Sequence, residues 1–110
     1  MACLFCKIAA KEIPATIRYE DDDVVAFDDI HPKAPTHVLI VPRRHLARVQ
    51  DFDDGAIAGA LFIAARRIAI SADIAETGYR LVVNNGSDGG QEVEHLHLHL
   101  IGGKKLGAMA

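Results

Sequence analysis

Histidines at positions 95, 97 and 99 alternate with leucines at 96, 98 and 100 in the stretch Glu94-His95-Leu96-His97-Leu98-His99-Leu100-Ile101. Successive side chains of an extended strand point to opposite faces, so this spacing predicts three imidazoles on one face and three leucines on the other. They are half of the six histidines in the chain. Imidazole changes charge near neutral pH and also ligates metals. Three uses compete: chelation of an ion such as Zn²⁺, nucleophilic and acid–base work, and a plain polar sheet face. Spacing alone leaves all three open.

The segment before the histidines shifts the balance. Asn84-Asn85-Gly86-Ser87-Asp88-Gly89-Gly90, followed by Gln91, is rich in glycine and small polar residues. Exposed backbone N–H groups in such a loop can form an anion-binding concavity, which would set a phosphate beside His97 and His99. A neutral imidazole that attacks phosphorus gives a covalent phosphohistidine and splits one hard displacement into two easier ones. A protonated imidazole and backbone N–H groups nearby would stabilise charge on the phosphoryl oxygens. This chemistry needs no metal, and it accounts for the loop as well as the histidines.

The scaffold must fit in 110 residues and 11.9 kDa, enough for one domain (1–110) with a real core but not for two. A formal charge of −3 and a pI near 6.0 argue against non-specific nucleic-acid binding, which needs a basic face. No apolar run approaches the roughly 20 residues of a membrane span. The first residues, Met1-Ala2-Cys3-Leu4-Phe5-Cys6-Lys7, lack a basic region leading into a long apolar stretch, so no signal peptide is expected. Two cysteines are too few for a disulfide framework. A soluble, cytoplasmic protein is the expectation.

Residues 4–10 can form a short helix, broken before Pro14. Residues 16–19 and 24–27 read as strands joined by Glu20-Asp21-Asp22-Asp23, a solvated hairpin turn rather than a metal site. Residues 28–36 carry two prolines and read as an irregular loop presenting groups over a sheet. Residues 37–41 form a near-continuous apolar strand, the pattern of one buried on both faces. From Asp53 the period becomes helical, with Ile57, Leu61, Ala64 and Ile68 on one stripe and Asp53 and Asp54 at the N-terminal end. Residues 79–83 return as a strand before the loop and the histidines. The expected fold is α+β, an antiparallel sheet of about five strands with one main helix and a short N-terminal helix.

Here the chain resembles a known family. His95-Leu96-His97-Leu98-His99-Leu100-Ile101 is similar to the His-φ-His-φ-His-φ-φ signature of the histidine triad (HIT) nucleotidyl hydrolases and transferases. Phe5-Cys6-Lys7-Ile8, Lys11-Glu12-Ile13-Pro14, Ala34-Pro35-Thr36-His37, Val41-Pro42-Arg43-Arg44-His45 and Gly86-Ser87-Asp88-Gly89-Gly90-Gln91 resemble segments of its Hint branch, in that branch's order. The resemblance implies a HIT-like fold and a homodimer. It implies His97 as the nucleophile and His99 as the group that contacts phosphate and helps protonate the leaving group. His95 takes the first triad position, and His37 would orient the imidazole of the nucleophile. Asn84 and Gln91 would contact the phosphate or bridging atoms, and Gly90 would line the nucleotide site. Asp29 would accept hydrogen bonds from ribose, and Phe5, Ile13, Phe27 and Ile30 would hold the purine. Read without the family, these apolar residues are ordinary core and Asp29 an ordinary loop acid.

Two departures stand out. Glu92 occupies a position where many Hint proteins have a serine that reaches phosphate. A carboxylate there would repel phosphate, so Glu92 is expected to act through its backbone N–H with the side chain turned away. The tail, residues 104–110, lacks the aromatic-proline segment of some relatives, which bears on the choice of leaving group. Cys3-x-x-Cys6 has the spacing of half a zinc site. Some bacterial-type HIT proteins resemble this chain in pairing two such cysteines with two histidines, here His45 and His95. That set implies a closed, structural zinc; the plain alternative is a pair of free thiols. Catalysis itself would need no cofactor.

The resemblance implies metal-independent hydrolysis of a purine nucleoside 5′-monophosphoramidate, such as the adenosine compound, through a nucleotidyl-His97 intermediate, with an AMP-like nucleotide as partner. The alternatives are a Fhit-like dinucleoside polyphosphate hydrolase, a nucleotide-binding regulatory protein with vestigial activity, and a zinc-binding structural module.

Overall fold

The computed structural model describes residues 3–108; Met1, Ala2, Met109 and Ala110, the outer ends of the two terminal stretches discussed above, lie outside it. The apolar run near the middle of the chain forms β3 (Thr36–Pro42), buried from His37 onward. β2 (Val24–Asp28) and β5 (Leu98–Gly102) flank it, with β1 (Ile17–Glu20) and β4 (Tyr79–Val82) at the edges. The sheet order is β1-β2-β3-β5-β4, antiparallel at every pairing.

A helix lies on each face, which is why β3 has no polar alternation. α2 (Ala56–Ser71) buries Leu61, Ala64, Ala65, Ile68 and Ala69 against Val24, Ala26, Val38, Ile40, Leu98 and Leu100. α1 (Leu4–Ala9) covers the other face, where Phe5 and Ile8 meet Val25, Phe27, Leu39 and Val41. The strand period of two thus sorts each strand between two cores. This is the α+β arrangement the sequence predicts, with five strands and one main helix.

Local chemistry sets the joints. Asp21 Oδ1 accepts from the N–H groups of Asp23 (2.8 Å) and Val24 (2.9 Å), so the acidic turn closes on its own backbone. α2 starts at Ala56, later than its acidic lead-in suggests: Asp54 Oδ1 accepts from Ala56 N (2.9 Å), while Asp53 pairs with Arg44 at 3.0 Å. Gly78, at φ +104°, turns the chain from α2 into β4.

The largest difference concerns the histidine segment. Regular pairing begins only at Leu98, where Ile40 faces Leu98 and Leu39 faces His99. Residues 93–97 lie outside the sheet, although the alternation of faces persists: Leu96, Leu98 and Leu100 all enter the core under α2.

The sheet is tight at its β5 end. A Cβ on Gly102 would lie 2.9 Å from Ile74 Cδ1 and 3.1 Å from Tyr79 Cβ. The isoleucine methyl can swing aside, but Tyr79 Cβ is part of β4 and moves only with the strand. Gly102→Ala is therefore expected to lower the unfolding free energy by about 1–2 kcal/mol. Gly107→Ala, which meets no neighbour, should change it by less than about 0.5 kcal/mol. Urea denaturation of the two variants checks this.

Candidate active site

His97 is buried, and its Nδ1 lies 2.8 Å from the carbonyl oxygen of His95. A carbonyl can only accept, so Nδ1 carries the proton and Nε2 the lone pair. Phe5 stands against the His97 ring edge to face at 5.1 Å, and the His99 ring flanks it at 5.0 Å. A backbone donor fixes the other imidazoles. The backbone N–H of Lys33 donates to His37 Nδ1 (3.0 Å), which leaves the proton of neutral His37 on Nε2. That proton is directed at His99 Nδ1, 3.0 Å away, so His99 carries its own on Nε2.

These groups line one cavity of ≈ 1100 Å³. One wall is apolar, built from Phe5, Ile8, Ile13, Phe27 and Leu39; the other presents Asp29, His37, His97 and His99. A volume of this order fits a nucleotide-sized ligand. Asp29 Oδ1 accepts from His31 N–H (2.8 Å), and Oδ2 lies 3.4 Å from His37 Nε2. Asp29, His37 and His99 are close enough to suggest a metal triad. The Lys33 amide argues otherwise, because it places a proton on the nitrogen that would have to bind the ion.

Burial holds His99 and His37 neutral. It lowers the His99 pKa from its ordinary value to about 4, helped by His97 and His37 and opposed by Asp29. The same burial lowers His37, again opposed by Asp29. Three imidazoles this close cannot all be cations in an empty cavity.

Most residues expected at the site meet in this cavity: Phe5, Ile13, Phe27, Asp29, Ile30, His37, Asn84, Gly90, Glu92, His97 and His99 all border it. Ile30 is 85% exposed and sits at the rim. Three expectations need correction. His37 meets His99 rather than the imidazole of His97, which is oriented by a backbone carbonyl instead. Gln91 does not border the cavity: its Nε2 donates to Ala47 O (2.7 Å) and Val93 O (3.0 Å), and its Oε1 accepts from Gly86 N (2.8 Å). The glycine loop is also less open than its composition suggests, since the N–H groups of Gly89, Gly90 and Gln91 bond back to Gly86 and Ser87. Asn84 Nδ2 clasps the loop through Gly89 O at 2.8 Å. Glu92 is exposed, and its N–H and that of Val93 have no acceptor among the described residues. Sequence reasoning missed Lys33, whose role is carried by its backbone, and Leu39, which strand alternation opposite His99 could have found.

His95 joins a different group. Its side chain is fully buried, with Nε2 donating to Pro42 O at 2.8 Å. Nδ1 therefore holds a lone pair, and it is ringed by Cys3 Sγ (3.3 Å), Cys6 Sγ (3.5 Å) and His45 Nδ1 (3.2 Å). Cys6 Sγ is also 3.3 Å from His45 Nδ1. One lone pair cannot accept from three donors at once. The spacings instead match the edges of a tetrahedron around a metal with Zn–N and Zn–S bonds of about 2.0 and 2.3 Å, edges of about 3.3–3.7 Å. Two sulfurs and two nitrogens are also a donor set that zinc takes up. Burial and the neighbouring Cys3 thiol push the Cys6 thiol up, a bias that a bound cation would reverse.

Known proteins resemble this chain over nearly its whole length. A HIT domain family model matches residues 10–106. The purine nucleoside phosphoramidase of Escherichia coli K12 is 47% identical over 108 residues, covering 96% of this chain and 91% of that protein. The crystal structure of a HIT family hydrolase from Legionella pneumophila superposes with a TM-score of 0.91 at 51% identity, covering 94% of this chain and 95% of that one. A histidine triad protein from Clostridium difficile gives 0.95 at 46% identity, covering 100% and 97%.

The neutral imidazoles make a pH prediction. His99 in the folded protein titrates near 4, below an unfolded value of about 6.5. As pH falls from 6.5 towards 4 the unfolded chain takes up a proton that the folded one refuses, so stability is full above that window and declines within it. Urea denaturation between pH 7 and 4 should show the decline, and His99→Gln should make it shallower. An equally steep decline in that variant would assign the effect to other groups.

Proposed function

The chain belongs to the HIT domain family, and on that premise we propose that it hydrolyses purine nucleoside 5′-monophosphoramidates, of the adenosine type, to the nucleoside monophosphate through a covalent nucleotidyl-His97 intermediate. The observation that carries this reading is the tautomer of His97. The His95 carbonyl accepts from His97 Nδ1–H and leaves the Nε2 lone pair in a cavity large enough for a nucleotide.

In this reading the purine lies between Phe5, Ile13, Phe27 and Ile30, and the ribose hydroxyls donate to Asp29. The free N–H groups of Glu92 and Val93, with the second Nδ2 hydrogen of Asn84, hold the phosphate, and Gly90 borders it. His97 Nε2 attacks phosphorus, forming a P–N bond as the bond to the amine breaks. The departing pair stays on the amine nitrogen, which takes a proton from His99. The entering phosphate charge raises the proton affinity of His99, so the group that is neutral in the free site becomes the acid when substrate is present. Water then attacks phosphorus and gives its proton to His99, the pair of the P–N bond returns to His97 Nε2, and the nucleoside monophosphate leaves. Charge on the phosphoryl oxygens is met by backbone N–H donors, and no step requires a metal. The E. coli relative named for purine nucleoside phosphoramidase activity supports the substrate class.

The reading includes three further features. Cys3, Cys6, His45 and His95 would hold a structural zinc, which supplies cross-linking of α1 to the sheet and no chemistry at phosphorus. The chain would form a homodimer: β4 has one unpaired edge, and Phe62, Ile63 and Ile70 on α2 stand exposed, the features that draw sheets and apolar surfaces into assemblies. A cytoplasmic site would keep both thiols reduced; no helix among the described residues is long and apolar enough to cross a membrane.

His97→Ala should reduce turnover of adenosine 5′-monophosphoramidate by at least about 10⁴-fold while AMP still binds. Acid-quenched wild-type protein should carry AMP on His97 by mass spectrometry. Substantial turnover in the variant would sink the mechanism, and faster cleavage of diadenosine polyphosphates than of the phosphoramidate would overturn the substrate class.

A further inference from the structure

The Cys3–Cys6–His45–His95 cluster and the nucleophile share one residue. The side chain of His95 lies in the cluster, and its carbonyl oxygen is the acceptor that fixes the His97 tautomer. Sheet pairing starts at Leu98, so no ladder hydrogen bond spans residues 95–97. Besides the burial of Leu96 in the core under α2, the peptide hangs on two hydrogen-bonded anchors: Leu96 N–H bonded to Leu46 O at 2.6 Å, and the His95 imidazole clamped between Pro42 O and the cluster. His45 follows the β3 strand, while Cys3 caps α1 and Cys6 lies in its first turn, so the cluster pins this peptide from two directions.

From this we infer that the cluster, when it holds a metal, is a positioning device for catalysis: it fixes the His95 peptide and so holds His97 with its lone pair aimed at phosphorus. The inference rests on the reading that the cluster binds metal. The nucleotide slot does not depend on it to the same degree. Phe5 and Ile8 seat α1 through their own packing on Val25, Phe27, Leu39 and Val41. Metal loss should therefore slow the chemical step while leaving nucleotide affinity almost unchanged. A cluster that merely supported the fold would weaken both together.

His45 is the ligand to change, because it touches neither the cavity nor His97. Full-length wild type, His45→Ala and His45→Cys would be titrated with Co²⁺, whose thiolate charge-transfer absorption reports a site with sulfur ligands. The His97 Nδ1–H resonance would be followed by NMR in the same samples. Single-turnover nucleotidylation, AMP affinity and far-UV circular dichroism complete the set. His45→Ala should lose tight metal binding and broaden the His97 resonance. Its single-turnover rate should drop roughly 10- to 100-fold, the usual effect of disturbing groups that orient a reactive one, with AMP affinity within about threefold. His45→Cys, which restores a zinc-compatible set, should recover both the resonance and the rate.

Failure of wild type to bind Co²⁺ would overturn the metal reading and this inference with it, while leaving the hydrolase reading to stand on wild-type turnover. Metal loss with an unchanged resonance and rate would overturn the positioning role alone. Collapse of the circular dichroism in chelated wild type as well as in His45→Ala would also overturn it, by showing that the cluster holds the fold and not the nucleophile.

Discussion

The hydrogen bond from His97 Nδ1 to the His95 carbonyl, 2.8 Å long, decides what the rest of the molecule can do. Imidazole has two nitrogens and, when neutral, one proton. A carbonyl beside Nδ1 claims that proton and leaves the other nitrogen with its lone pair. Were a donor placed there instead, Nε2 would carry hydrogen and the same fold would hold an inert ring. The mirror case lies across the cavity, where the Lys33 N–H presses on His37 Nδ1 and sends the proton to Nε2, from which it bonds His99. Two peptide groups of opposite polarity thus set the protonation pattern of three side chains. Backbone suits this task because a peptide carbonyl and N–H cannot change protonation state with pH, as a carboxylate or another histidine can.

Peptide groups act in this way only if their positions are fixed, and the layered sheet does the fixing. β3 can be apolar along its whole length because α1 and α2 cover opposite faces. Its register with β5 puts Leu39 opposite His99 and Val38 opposite Leu100, so the catalytic face and the packed face alternate residue by residue. Leu96, Leu98 and Leu100 are buried beneath α2 at 2% exposure or less, and their burial resists any rotation of the strand that would carry His99 out of the cavity. A slip of one residue would exchange the two sets, placing imidazoles in an apolar core and leucines against phosphate.

That exchange of faces explains how much was legible in the residues themselves. Side-chain identity and period locate the histidine face, the buried central strand, the α2 stripe and the cysteine pair, because each depends on which atoms a residue carries and how often it recurs. The misplacements share a different cause. Assigning Gln91 to phosphate treats a carboxamide as a ligand contact, whereas both of its ends are consumed in tying the loop to Ala47, Val93 and Gly86. Expecting a cradle of free N–H groups from glycine content overlooks the loop's own hydrogen bonds, which use those of Gly89, Gly90 and Gln91. His37 could be given a catalytic position but not a neighbour, since the choice between His97 and His99 rests on strand register. Lys33 was invisible because any residue but proline supplies the same N–H. The early end of the sheet at Leu98 has a similar origin: the His95 side chain is drawn to the cysteines, and the peptide follows it out of the ladder.

The electrostatics of the site favour the order of events that the hydrolysis needs. A nucleophile that meets an anionic phosphate should be neutral, and an acid that releases an amine should be charged. The His95 carbonyl serves the first by fixing the His97 tautomer, whereas burial alone opposes the second, holding His99 near 4 and His37 below its ordinary value. The second needs help. Asp29 is the carboxylate that faces these rings, and it pulls in the opposite direction on both His37 and His99. The arriving phosphate adds negative charge on the same side. The proton can then settle on His99 Nδ1 once the His37 Nε2–H that faces it turns to Asp29 Oδ2, 3.4 Å from that nitrogen, while the His95 carbonyl holds His97 in the tautomer that leaves Nε2 its lone pair. Acid and nucleophile are the same kind of residue two positions apart, and their hydrogen-bond partners make them different.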